Sequence, residues 1–295
     1  MLSYRHAYHA GNHADVLKHL VLLSCLAHLG KKETLFRYVD THAGAGAFTL
    51  TAGYAAEREE WRDGAERLRA FAAADRGEAP RAVLEYLAFV DAFREREGRD
   101  AYPGSPAIAA SLLRGDDRAF LFELHPADHA ALEERFGKDR RVQVRKADGL
   151  SGLRSLLPPP ARRALVLIDP SYEVKDDYDA VVAALSDALR RFATGIYVVW
   201  YPILEREDAR ALPERIMALP AGARCAAELR VKRAREDGRG MRGSGVVVLN
   251  PPWTLRAALE ETLPYLVRAL GEEDSGETLR WEANTATRGA GAVSE

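Results

Sequence analysis

Two short stretches of this chain place a polar residue, proline and an aromatic at the end of an apolar run. One is "DPSY", Asp169–Tyr172, closing "ALVLIDPSYE"; the other is "NPPW", Asn250–Trp253, closing "GVVVLNPPWT". Both suit work on the exocyclic amino group of a nucleobase, a poor nucleophile because its lone pair is delocalised into the ring. In the first stretch the Asp169 carboxylate and the Pro170 carbonyl can accept the two N–H bonds and bias the nitrogen towards tetrahedral geometry. Tyr172 would then stack on the extruded base. In-line placement against an activated methyl sulfonium supplies most of the remaining rate. The alternative is an Asp-Pro turn that merely ends a buried strand.

Which stretch carries the chemistry depends on the strands that present them. Seven runs read as strands: Phe36–Asp40, Ala119–Glu123, Val142–Lys146, Ala164–Asp169, Gly195–Trp200, Ala226–Lys232 and Gly245–Asn250. Most are continuously apolar, as strands buried on both faces of a parallel sheet should be. Helical patterns separate the first six, for example Pro126–Phe136, Asp179–Phe192 and Leu204–Leu219, which predicts a doubly wound α/β domain. An earlier helix starts after a cap at Asn12. Asp169 ends the fourth parallel strand, at the sheet edge where ligands of open α/β folds collect. The glycine-rich link "REDGRGMRGSG" makes a hairpin, so the last strand runs antiparallel and carries Asn250 to the opposite edge. There Pro-Pro ends a strand and Trp253 is expected to pack beneath the next helix.

A cofactor site is legible upstream. "YVDTHAGAGAF" ends a strand at Asp40, and Gly44 and Gly46 permit the turn that brings backbone close to a ligand. Thr49 stands where a dinucleotide fingerprint would have its third glycine, which disfavours a dinucleotide. Glu123 closes the next strand and suits the ribose hydroxyls of a nucleoside, or else opens the following helix as a solvated carboxylate. It lies 77 residues beyond Gly46, against about 20 in the usual arrangement, so about fifty residues are inserted. Their amphipathic pattern predicts a helical subdomain over 53–102, closed by "YPGSP", within a main domain of 1–52 and 103–270. Asp148 in "KADGL" stands where an adenine amino contact belongs, or at a surface turn. Residues 271–295, polar and rich in Gly, Ala and Thr, read as a frayed tail.

Composition narrows the classes. A formal net charge of -2 means that any nucleic-acid footprint must be local. Cys25 and Cys225 lie in apolar stretches without partner spacing, which suits a reducing compartment. No apolar run reaches the roughly 18 residues needed to span a bilayer, and the start "MLSYRHAYHAG" is polar, so the expected location is cytoplasmic. The histidines His6, His9, His13 and His19 invite a metal, but no carboxylate or cysteine set completes a site and none is expected. The segment Met1–Gly11 reads as a flap over cofactor or nucleic acid. The basic "RRVQVRK" reads as a solvated face.

"MLSYRHAYHAGNHADVLKH", "DTHAGAG", "YPGSP", "ELHP", "DG" and "IDPSYE" together resemble the ribosomal large-subunit methyltransferase J family, from Met1 to about Trp253. The resemblance implies a Rossmann-like class I methyltransferase sheet of seven strands, the last antiparallel, with an inserted helical subdomain. It implies N6-methylation of an adenine in 23S rRNA, of the type acting at position 2030, with S-adenosyl-L-methionine as donor. It implies cofactor contacts from His19, His42, Ser105, Glu123, Asp148 and Gly149, with Asp169 as catalytic acceptor. Tyr4, Arg5, His6 and Lys18 would face the RNA. The substrate would be 23S rRNA, free or in an early assembly intermediate, and the enzyme a monomer. The family usually reads Asp-Pro-Pro-Tyr; here Ser171 replaces the second proline. Two other classes stay open. One is a DNA adenine methyltransferase, with the inserted helices as target-recognition module; the other is a silent RNA-binding protein, which Ser171 would favour.

Overall fold

The structure, a computed structural model, describes residues 6–75, 77–232 and 240–283. A 3-10 turn (His6–His9) leads into α1 (His13–Gly30), then β1 (Arg37–Asp40) and β2 (Ala47–Thr49). The inserted stretch holds α2 (Gly53–Arg58), a π turn (Arg62–Glu66), α3 (Arg67–Ala74) and α4 (Arg81–Glu97), and returns through β3 (Ala101–Pro103). There follow α5 (Ser105–Leu112), β4 (Arg118–Phe122), α6 (Pro126–Phe136), β5 (Val142–Arg145), α7 (Gly149–Leu156) and β6 (Ala164–Ile168). The chain continues through α8 (Asp176–Arg191), β7 (Ile196–Ile203), α9 (Glu207–Met217), β8 (Arg224–Arg230), β9 (Gly243–Leu249), α10 (Leu255–Leu270) and β10 (Gly276–Glu282).

The main sheet has the order β10-β8-β9-β7-β6-β1-β4-β5. β5, β4, β1, β6 and β7 are mutually parallel, and β9 is antiparallel to both β7 and β8. All five residues of β6 and all seven of β9 are buried, which explains the uninterrupted apolar spelling of β6 and of Val246–Leu249 in β9. From β1 the chain winds to β4 and β5 on one side, then to β6 and β7 on the other. The crevice therefore opens at the carboxyl ends of β1 and β6. Asp40 is level with Leu121 of β4 and Leu167 of β6, so Asp40, Glu123 and Asp169 reach the same edge.

The reversal of β9 carries Asn250 away from that edge, as the hairpin predicts. Leu249 pairs with Tyr197 and Arg224 at the starts of β7 and β8. Asn250 adopts φ 54°, and its side chain staples loops: Oδ1 accepts from the Gly222 N–H at 3.0 Å. Its Nδ2 donates to the carbonyls of Ala193 and Gly195 at 2.8 and 2.7 Å. Trp253 does not pack beneath α10; it is 79% exposed.

Residues beyond 270 differ from the expectation. In place of a frayed tail through this stretch, β10 pairs antiparallel with the whole of β8, from Gly276 opposite Arg230 to Glu282 opposite Arg224. Leu279 and Trp281 pack against the core from this edge position. The strand escaped notice because an edge strand needs only one weakly apolar face. The division into a main domain and an insertion is one of sequence, and packing runs across it. Leu68 of α3 and Val83, Tyr86 and Val90 of α4 join the same hydrophobic cluster as the sheet. The ends of the insertion are pinned together by β2 and β3, with Ala47 opposite Pro103.

Helix α1 lies across the sheet and packs on β9, β7 and β6 as well as α5 and α4. Asn12 caps it, accepting from the N–H groups of Ala14 and Asp15 at 2.9 and 3.1 Å. Three ionisable residues, Asp15, Lys18 and His19, lie on its buried side at i, i+3 and i+4.

Candidate active site

The larger cavity at the crevice, about 340 Å³, is built on the loop after β1. That loop is stitched to both neighbouring strands: Thr41 N–H donates to the Leu167 carbonyl at 3.1 Å and Ala43 N–H to Phe122 at 2.8 Å. Gly44 and Gly46 take φ 59° and 82°, values that an L side chain rarely adopts. Glu123 then accepts the Gly44 N–H on Oε2 at 2.8 Å and the His125 N–H on Oε1 at 2.7 Å. Burial holds its carboxyl above the usual glutamate range, with those two N–H bonds opposing the shift. Asp148 caps α7 through the Leu150 N–H at 3.0 Å and also accepts from Ser151. Gly149 has no room for a Cβ, which would collide with the Thr41 backbone.

Beneath the loop, Ser105 Oγ and Tyr38 OH each donate to Oδ2 of the buried Asp40 at 2.7 Å. Desolvation pushes the Asp40 carboxyl up to about 6, and the two hydroxyl bonds restrain the rise. His42 and His19 are both neutral because burial lowers them, to about 4 and about 3. His19 Nδ1 lies 3.1 Å from Tyr102 OH, which in turn lies 3.0 Å from Tyr86 OH on α4, so the insertion helps fix this imidazole. Its Nε2 is buried and has no hydrogen-bond partner among the described residues. All six residues expected at the cofactor (His19, His42, Ser105, Glu123, Asp148 and Gly149) line this one cavity.

Asp169 and Ser171 stand where the larger cavity meets a smaller one of about 190 Å³, and both cavities also share His6 and Lys18. Asp169 Oδ2 accepts from Lys18 Nζ at 2.6 Å, and Lys18 Nζ also lies 2.8 Å from Asp15 Oδ1. Pro170 lines the larger cavity. Tyr172 lies behind the acidic group rather than proud of it: it is 2% exposed and donates from its hydroxyl to the Trp200 carbonyl at 2.8 Å. Its ring, in contact with Tyr178 and Trp200, forms part of the wall of the smaller cavity.

Lys18, expected to face the RNA, lines both cavities. Its side chain is 3% exposed and clamped between two carboxylates, which hold its ammonium charged against the cost of burial. His6 does reach the site, with Nε2 2.9 Å from Asp15 Oδ1. Tyr4 and Arg5 lie outside the described residues, as does most of the basic hairpin link. Sequence reasoning missed Asp15 and the Tyr38–Asp40 pair. The signals were there: Tyr-x-Asp alternation puts Tyr38 and Asp40 on one face of β1, and Asp15, Lys18 and His19 share one face of a helix.

A comparison with protein families matches residues 33–283 to one described as ribosomal RNA large subunit methyltransferase D, RlmJ. A Haemophilus influenzae protein named ribosomal RNA large subunit methyltransferase J is 43% identical over 284 residues, covering 95% of this chain and 99% of that protein. The chain belongs to the RlmJ family. The Escherichia coli protein of the same name is 42% identical over 282 residues, covering 95% and 99% of the two chains. A crystal structure of a Legionella pneumophila protein superposes with a TM-score of 0.83 at 32% identity, covering 94% of this chain and 99% of that one. The fold is the Rossmann-like class I methyltransferase fold, and RlmJ membership brings S-adenosyl-L-methionine as cofactor. The larger cavity fits that group. Each Glu123 oxygen retains a lone pair for a ribose hydroxyl, Leu124 and Leu150 offer apolar walls, and Gly44 leaves the backbone beside Glu123 bare. No helix among the described residues is long and apolar enough to cross a membrane.

Proposed function

We propose that this chain methylates the exocyclic N6 amino group of an adenine in 23S ribosomal RNA, position 2030 being the expected nucleotide. It would act in the cytoplasm as a monomer, on free rRNA or an early assembly intermediate. The observation that carries the reading is the position of Asp169, whose carboxylate stands at the junction of a nucleoside-sized cavity and a smaller one. The names of the Haemophilus influenzae and Escherichia coli relatives support ribosomal RNA as substrate.

In this reading the larger cavity holds S-adenosyl-L-methionine, which supplies a methyl group on a sulfonium. Glu123 accepts from the ribose hydroxyls, Asp148 from the adenine amino group, and Ser105, His19, His42 and Gly149 shape the remainder. The target base enters the smaller cavity, beside Tyr172. Lys18 occupies Asp169 Oδ2, so Oδ1, which has no partner among the described residues, accepts one amino N–H while the Pro170 carbonyl accepts the other. Holding both bonds biases the nitrogen lone pair towards the methyl group, and the exclusion of water strengthens every contact. His6, with Tyr4 and Arg5 ahead of it, meets the RNA around the target.

The test is methyl transfer to protein-free 23S rRNA lacking the modification, with nucleoside mass spectrometry and duplex DNA in parallel. N6-methyladenosine in rRNA is expected, abolished in Asp169→Ala, which should keep cofactor affinity and thermal stability near wild type. Methylation of DNA alone, or comparable turnover in Asp169→Ala, would overturn the reading.

A further inference from the structure

We propose that Asp15 is a positioning residue for methyl transfer: its carboxylate holds Lys18 at one oxygen of Asp169 and so decides which Asp169 oxygen meets the base. This rests on the reading of Asp169 as acceptor. Asp15 is fully buried and meets three donors. Oδ2 accepts the Gly11 N–H at 2.8 Å, while Oδ1 receives Lys18 Nζ at 2.8 Å and His6 Nε2 at 2.9 Å. His19 Nε2, 3.8 Å from Oδ1, is too distant to take part in a hydrogen bond.

The arrangement has a clear electrostatic logic. Lys18 is a compact point charge with three donors, free to swing between acceptors. Between Asp15 Oδ1 and Asp169 Oδ2 it is held on one side of Asp169, leaving Oδ1 for an amino N–H. Without the anion at Asp15, Asp169 is the one carboxylate left in contact with Lys18 among the described residues, and the ammonium can close over both of its oxygens. Asp15 also joins two parts of the chain. It grips the N-terminal segment at Gly11, which turns there with φ 74° and whose carbonyl accepts the Ala65 N–H at 2.8 Å. Through His6 it ties the segment leading to Tyr4 and Arg5 to the group that meets the base.

Asp15→Asn keeps the shape and removes the charge. The amide offers one acceptor oxygen to donors arriving on two sides, so either Gly11 or the Lys18–His6 pair loses its partner. Single-turnover transfer to rRNA at saturating cofactor should fall about tenfold or more, because displacement of about 1 Å at the reacting centre costs up to about a hundredfold. The dissociation constant for S-adenosyl-L-methionine should stay within about twofold, since Asp15 lines the smaller cavity and not the larger. In the Lys18→Met background the same substitution should slow transfer by less than about threefold, as a residue acting through Lys18 requires. Should Asp15→Asn unfold at the assay temperature, Asp15→Ser, which leaves room for water, takes its place. A wild-type rate, an equal loss in both backgrounds, a parallel loss of cofactor affinity, or unfolding of both variants would overturn the proposal. If Asp169→Ala stays active, the parent reading fails instead.

Discussion

Glu123 can be replaced in two ways that separate its charge from its geometry. Removing the carboxylate in Glu123→Ala deletes the acceptor for the ribose hydroxyls and frees the N–H groups of Gly44 and His125, which it binds at 2.8 and 2.7 Å. A hydrogen bond to a charged acceptor contributes about 1.5–3 kcal/mol, so cofactor affinity should fall about tenfold to somewhat over a hundredfold. Glu123→Gln is nearly isosteric, and elsewhere would be mild. Here both carboxylate oxygens already face a backbone N–H, so the amide NH2 must point at one of those donors. Glutamine should therefore lose within about threefold of what alanine loses, because an opposed donor pair costs about as much as an absent acceptor. The pH dependence follows from burial, which raises the Glu123 carboxyl above its ordinary value. The ionised form is the acceptor, so wild-type affinity should decline as pH falls, beginning above the usual glutamate range. Isothermal titration calorimetry with S-adenosyl-L-methionine measures all three. Wild-type affinity in either variant, or a glutamine variant far closer to wild type than alanine, would refute the assignment.

Asn250→Ala should lower stability by about 2–4 kcal/mol through its three lost bonds and the strain of a left-handed residue, while the folded variant transfers methyl groups at the wild-type rate. Denaturant unfolding and a turnover assay check this, and lost turnover at full folding would mean that the wrong stretch was assigned the chemistry. Asp40 carries a linkage prediction. Its folded value of about 6 exceeds the unfolded value near 4, so its contribution to stability is present below about pH 4 and is lost as pH rises through 6. Asp40→Asn removes that dependence, so the variant should gain on wild type by about 2–3 kcal/mol between those limits. Stability curves that stay parallel from pH 4 to 7 would exclude it.

The buried parallel strands were legible because both faces are covered, which leaves a continuous apolar run. β6 is the clearest case. That Asn250 leaves the edge that carries Asp169 was legible for a different reason, since a link too short for a crossover fixes the direction of the following strand. What escaped was set by tertiary contact. Nothing in the spelling marks Lys18 as a buried cation; only the packing of α1 on the sheet, with Asp15 and Asp169 as partners, makes it one. Tyr172 sits at a stacking position in the motif; its φ of 53° and its ring contacts with Tyr178 and Trp200 in the cavity wall are set by the fold. Neither backbone angle nor wall can be read from spelling.

The strand formed by Gly276–Glu282 also changes how the sheet ends. A sheet edge exposes a row of unpaired N–H and C=O groups that invites another chain to add itself. Here the two rims are guarded by different means. On one side β10 covers β8 over seven paired positions. On the other, β5 is only four residues long and is flanked by Arg140, Arg141 and Lys146, with the Arg145 guanidinium drawn back over the rings of Phe120 and Phe122. The basic "RRVQVRK" thus becomes a guard against lateral pairing through charge and shortness. The residues after 270 take the apolar β8 off the opposite rim and put in its place a strand that carries Glu277, Arg280 and Glu282, charges that discourage a further chain from pairing there.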